Sequence, residues 1–88
     1  MNQYAIRARE HWRTHLPTRY QALNDPQTFF ANLGDQATDE IEELAEALAG
    51  QDPVGETFLA KTARLTTARA DAESTVLREL ILLPEENH

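Results

Sequence analysis

The chain has 88 residues, with 15 acidic side chains against 8 basic ones and a formal net charge of −7 at pH 7. A chain this short makes one small domain at most, and the absence of cysteine excludes both disulfide support and a thiolate metal site. No apolar run approaches the roughly 18 residues of a membrane-crossing helix, and the opening residues lack the basic region and apolar run of a signal peptide, so the cytoplasm is the expected compartment, with no membrane partner.

Alanine, glutamate, leucine and arginine dominate, glycine is scarce, and alternating runs of β-branched or aromatic residues are absent. Helix is therefore expected nearly throughout, giving an all-α chain with a single helical domain over residues 1–88. The first helix is expected over residues 2–16, with Asn2 as its N-cap. Tyr4, Ala8, His11, Trp12, His15 and Leu16 recur at helical spacing and give it an aromatic-rich face, with Arg7, Arg9 and Arg13 mostly off that face. Pro17 would remove a hydrogen bond from a helix interior but suits the first position of a new helix. A short second helix over 17–23 follows, turning Tyr20 and Leu23 inward.

Asp25-Pro26 is a strong start signal, a capping carboxylate followed by a proline that needs no amide partner. The helix it opens is expected to run over 26–49, with Gly50 at its end. At about 100° per residue, Phe30, Leu33, Ala37, Ile41, Leu44 and Leu48 fall in a stripe about 80° wide, with Asp35, Asp39, Glu42 and Glu46 about 170° away. Gly34 lies inside this helix at a cost of about 1 kcal/mol relative to alanine. The stripe keeps its phase across Gly34, which favours a continuous helix with a neighbour packed closely there.

Asp52-Pro53 repeats the start signal after a two-residue link, and so short a link makes antiparallel neighbours of the helices it joins. The last helix is expected over 53–83, with Val54, Phe58, Leu65, Ala72, Val76, Leu80 and Leu83 on its main stripe and Leu59, Leu77 and Ile81 widening it. Pro84 ends it, and residues 84–88 read as a frayed tail. The result is a long antiparallel, coiled-coil-like hairpin behind one or two short N-terminal helices. Its pairing sets residues 76–83 beside Phe29, Phe30 and Leu33, and Trp12, Tyr20 and Leu23 fold onto the same end. That end carries more apolar surface than one partner helix covers. Phe29, Phe30, Leu77, Leu80, Ile81 and Leu82 are therefore expected to mediate self-association, most simply as a two-fold homodimer that completes a bundle.

Charge is unevenly placed. Residues 1–24 carry Arg7, Arg9, Arg13 and Arg19 against Glu10, a net of +3, whereas residues 25–51 carry seven acids and no Lys or Arg. The arginines interleave with Trp12, Tyr20 and Tyr4 in a basic, aromatic head that could contact phosphates and stack on bases; the plainer reading pairs this head with the acidic helix, within the chain or across a dimer. Asp35, Asp39, Glu42, Glu43 and Glu46 could present a row of charge to a basic partner or imitate a nucleic-acid backbone; the plainer reading is a solvated face that keeps the protein soluble.

Motifs for chemistry are sparse. His11 and His15 are four apart and could share a metal from one helix turn, but Trp12 stands where a zinc hydrolase places its glutamate, so the plainer reading packs one histidine and solvates the other. There is no Gly-rich phosphate loop, no cysteine nucleophile and one mid-helix serine, Ser74. No enzyme activity, metal or cofactor is expected.

The pattern Arg9-Glu10-His11-Trp12, Leu16-Pro17-x-Arg19-Tyr20, Asp25-Pro26-x-x-Phe29-Phe30-x-x-Leu33-Gly34, Leu48-Ala49-Gly50-x-Asp52-Pro53-x-Gly55-Glu56 and Leu80-x-Leu82-Leu83-Pro84 resembles small uncharacterised helical proteins of high-GC Gram-positive bacteria, which often lie in phage-like or integrated mobile regions. The resemblance spans nearly the whole chain and implies an accessory or inhibitory protein that acts by binding. The expected function is that of a non-catalytic adaptor or regulator working through protein–protein interaction. The alternatives are an acidic inhibitor of a nucleic-acid-binding or host-defence protein and, third, a DNA-binding regulator using the arginine-rich head.

Overall fold

Capping chemistry sets the first three helix starts. The computed structural model describes residues 2–86. Asn2 accepts a hydrogen bond from Ala5 N at 2.8 Å and opens α1, Gln3–His15. Pro17 opens the short α2, Pro17–Gln21. Asp25 accepts from both Thr28 N and Thr28 Oγ1 and opens α3, Pro26–Ala49, which runs unbroken through Gly34 and ends at Gly50 with φ +64°. α4 spans Phe58–Val76 and continues as a π-helical segment, Leu77–Ile81, closed by a bond from Leu82 N to Leu77 O. All regular structure among the described residues is helical.

Three boundaries differ from the sequence reading. The last helix begins at Phe58, not Pro53, with Thr57 as its N-cap. Asp52 is unavailable as a cap because Lys61 and Arg64 hold its carboxylate, and Gly55, at φ +79°, breaks any helix across that stretch. The link between α3 and α4 is therefore residues 50–57, not two residues. The second helix stops at Gln21, short of residue 23. At the other terminus, Glu86 is no frayed tail: its carboxylate accepts from Thr18 N and Arg19 N, and its own N–H donates to His15 O. Glu86 thus supplies the cap that Leu16, at the N-cap position of α2, has no side-chain oxygen to give. Asn87 and His88 lie outside the described residues.

α3 packs along its length on α4, and α1 packs on α3 and on the π segment. The aligned direction of α1 follows from its contacts: Asn2 meets Thr38 and Asp35, while Trp12 meets Phe29 and Phe30. α1 therefore runs back along the first half of α3, and its Tyr4 hydroxyl reaches across to Glu73 of α4 at 3.2 Å. One end of the molecule is three helices thick, closed by α2. Phe30, Leu16, Ile41 and Ile81 are its largest fully buried side chains. Outward from there, α3 from Glu42 and α4 back to Phe58 have only each other. This two-helix arm gives the molecule its 53 × 25 × 16 Å dimensions.

Small residues let α1 and α3 approach. Ala5 and Ala8 of α1 are fully buried, and Gly34 lies directly beneath Asn2 and Ala5. The glycine that looks like a local weakness in α3 is the seat of α1.

Candidate interaction surfaces

The aromatic end is a closed core. Trp12 packs on Phe29 and Phe30 with ring centroids 5.1 and 5.6 Å apart, and Tyr20 stacks on Phe30 at 6.0 Å. Phe30, Leu77 and Ile81 are buried within this one chain, and Phe29, Leu80 and Leu82 are half-buried. Helices α1 and α2 cover Phe30, Leu77 and Ile81 of the surface that the sequence reading assigned to a second copy, because Ala5 and Ala8 let α1 sit lower on α3 than a helix with large side chains would; Phe29, Leu80 and Leu82 keep part of their surface in solvent. Tyr4 is enclosed as well; burial, reinforced by the Glu73 carboxylate, pushes its phenol above the ordinary range. The Trp12 indole N–H is buried with no hydrogen-bond partner among the described residues.

The basic head keeps its charge and loses its aromatics. Arg7, Arg9, Arg13 and Arg19 are exposed, and none is within ion-pair distance of a described carboxylate. Trp12 is buried, and Tyr20, half-buried, has one face stacked on Phe30. His11 donates from Nε2 to Leu83 O at 2.8 Å and His15 lies 3.9 Å from Glu85, so the two imidazoles tie α1 to residues 83–85. Among the described residues no cluster of three or more His, Asp or Glu is placed to hold a metal ion, and no helix is long and apolar enough to cross a membrane.

The acidic face lies open. Asp35, Asp39, Glu42, Glu43 and Glu46 are all exposed. The arginines of the head do not reach them; among the described residues Asp35 meets the Asn2 amide, at 3.5 Å. The ion pairs of the described residues lie elsewhere, at residues 52–64 and at His15.

The far end of the arm was not singled out by the sequence. There the guanidinium of Arg64 reaches Asp52 at 2.6 Å, Glu56 at 2.8 and 3.0 Å, and the carbonyl of Ala49, the last residue of α3. Lys61 adds a 2.6 Å pair to Asp52. Hydrogen bonding to Lys61 and Arg64 holds the Asp52 carboxyl below its ordinary range, and Arg64 does the same for Glu56. This clamp lashes residues 50–57 to α4. Large apolar side chains stay bare around this end: Val54 is 106% exposed, Phe58 82%, Leu59 78%, Leu48 52% and Leu65 42%. Val54, Phe58 and Leu65 were expected on the stripe facing α3; Val54 lies in the link, Phe58 opens α4 before the level at which Arg64 meets the end of α3, and Leu65 lies on a flank of α4 with Thr66, Arg69 and Ala70. Leu48, on the other flank, borders a hollow with Ala63, Arg64, Thr67 and Ala68, so the start of α4 overhangs α3 by roughly a turn and a half.

No family model, no curated protein and no solved structure matches this chain.

Proposed function

We propose that this chain is a non-catalytic adaptor or regulator that binds a basic surface of another protein through the acidic face of α3. In this reading α3 and α4 act as a long helical hairpin and the working form is a homodimer. The observation that carries it is the composition and exposure of α3, whose 24 residues include six acids and no basic residue. Its outward carboxylates stand in solvent with no cation of the described residues against them. Surface helices normally interleave the two signs, which stabilises them through pairs three and four residues apart. A helix that forgoes those pairs keeps its charge available to a partner and attracts a basic one from a distance.

A second reading, an acidic inhibitor that a mobile element directs against a nucleic-acid-binding or host-defence protein, is supported by the same row. From Asp35 to Glu46 the acids span about 16 Å at 1.5 Å per residue, roughly one charge per 3 Å against one per about 1.7 Å in duplex DNA. One chain is about half as dense as DNA, and two side by side would match it.

The test begins with affinity capture from the source cells to identify the partner, followed by binding of that purified partner to wild-type and Asp39→Lys/Glu46→Lys chains. The reversed chain should bind at least ~10-fold more weakly, with a helical spectrum unchanged, and raised salt should weaken the wild-type complex. Equal binding by both chains sinks the acidic-face reading. Displacement of nucleic acid from the partner selects the inhibitor; a partner that keeps its nucleic acid selects the adaptor.

A further inference from the structure

We infer that the bare tip of the two-helix arm, formed by Val54, Phe58, Leu59 and Leu65, is the face on which a second copy of this chain docks. The inference rests on the dimer reading above and moves its interface from the aromatic end to the opposite end of the molecule.

Area is the first argument. An exposed large apolar side chain offers on the order of 150 Å². At the exposures seen here, these four residues present roughly 450 Å² per copy. Two copies would remove about 900 Å² from water, the size of a weak, transient interface. Thr62 and Thr66, exposed along the same helix, would add to it at the rim. The patch is thus large enough for a weak dimer that forms at high concentration.

Charge selects the partner. Residues 50–67 contain Asp52, Glu56, Lys61 and Arg64 and no other charged side chain, a net of zero, and these four are already paired with one another. The rest of the chain therefore carries the whole −7. A basic protein would gain nothing at this end and would prefer the acidic face; a polyanion would gain nothing either. A second copy is repelled by the acidic face but meets no net charge at the overhang, where the apolar surface is like its own. That is the self-complementarity a two-fold interface requires.

Geometry points the same way. Phe58 and Leu65 are seven residues apart and so lie on one line of α4, with Leu59 flanking them. Arg64, which holds Asp52 and Glu56, lies about 100° around α4 from Leu65. Where α3 has ended, α4 lacks a neighbour for roughly a turn and a half. Two overhangs laid antiparallel would fill each other's vacancy and turn two two-helix arms into a four-helix core.

The chain has no cysteine, so a single introduced thiol reports on proximity. Sedimentation velocity of the full chain from about 5 to about 500 µM, the range fitting an interface of this size, should show a concentration-dependent dimer. Phe58→Glu/Leu59→Glu should raise its dissociation constant on the order of 100-fold, because two carboxylates would have to be buried without partners. Its helical spectrum should be unchanged, as both positions are exposed. Thr62→Cys, exposed midway between Phe58 and Leu65 and so near the two-fold axis, should form a disulfide dimer on mild oxidation, and Arg13→Cys at the other end should not. A wild-type chain that stays monomeric at the highest concentration overturns the dimer reading and this face together. A dimer that survives Phe58→Glu/Leu59→Glu, or a Thr62→Cys chain that cross-links no faster than Arg13→Cys, overturns this face while leaving a dimer to be placed elsewhere.

Discussion

At Gly34, helix propensity and tertiary packing predict opposite signs. Glycine to alanine in the interior of a helix stabilises by about 1 kcal/mol when nothing else changes. A Cβ at position 34, however, would run into Asn2 Oδ1 and come within 2.8 Å of Ala5 Cβ and 2.9 Å of Ala5 N. The Ala5 atoms belong to the backbone of α1 or are fixed directly to it, so relief requires α1 to lift off α3. Overpacking of that kind costs about 1–3 kcal/mol. Displacing Asn2 also weakens its bonds to Ala5 N and Thr38 Oγ1, a capping loss of about 1 kcal/mol. Set against the propensity gain, Gly34→Ala should destabilise the chain by about 1–3 kcal/mol, lowering Tm on the order of 5–20 °C for a domain of this size. The assay is thermal and urea unfolding followed by far-UV circular dichroism, with Asn32→Ala, exposed on the same helix, as the propensity control. Because the Asn2 side chain is the nearest obstacle, Gly34→Ala should cost less in an Asn2→Ala background, with a coupling of about 0.5–1 kcal/mol. A Gly34→Ala chain that is more stable than wild type by about 1 kcal/mol would refute the close seating of α1 on α3.

Trp12→Ala, which removes the ring packed on Phe29 and Phe30, should cost about 3–5 kcal/mol, a large share of what a small domain has; Phe58→Ala, in solvent, should change monomer stability by less than about 0.5 kcal/mol, and comparable losses in urea unfolding would contradict the placement of the core. The clamp sets a pH window. Asp52 and Glu56 have depressed carboxyl pKa values in the folded chain, so their contribution is fully present above the ordinary carboxylate range and is lost as pH falls through the lower folded values. The loss of thermal stability caused by Arg64→Ala should be constant from about pH 5 to 7 and shrink only below about pH 4, and a loss that has already vanished at pH 5 would rule the clamp out.

The sequence was most legible where structure is local. Asn2 and Asp25 cap helices with the residues directly after them, and Phe30, Ala37 and Ile41 are buried on one stripe of α3. It misled where a distant group competes for the same atom. Asp52-Pro53 carries the same local signal as Asp25-Pro26, yet Asp52 is taken by Lys61 and Arg64, nine and twelve residues on, and the helix starts at Thr57 instead. Gly55 was the one signal in the sequence that argued for this. Glu86 capping α2 is a pairing across 67 and 68 residues, for which no periodicity exists. The apolar stripe of Val54, Phe58 and Leu65 has helical spacing, yet Val54 lies outside α4 and Leu65 on its flank; periodicity identifies a face but not whether a neighbouring helix covers it.

Length mismatch is also what divides the molecule's labour. α1 covers α3 only from Phe29 to Thr38, through the Trp12 and Asn2 contacts, so nearly all the large buried side chains gather at that end. Across the arm, α4 contributes only Ala68 to the buried set before Ala72, and at about 0.8 kcal/mol per buried CH₂ an alanine stabilises far less than a leucine would. The arm is therefore the part of the fold that opens at the lowest free energy, held at its tip by ion pairs that are weak when solvated. Such a segment gains more from being covered than a finished core does, because whatever binds its folded form stabilises it by mass action. The acidic row extends onto this arm and the bare apolar overhang terminates it. The two surfaces without partners among the described residues thus meet on the region whose folded form gains most from being covered.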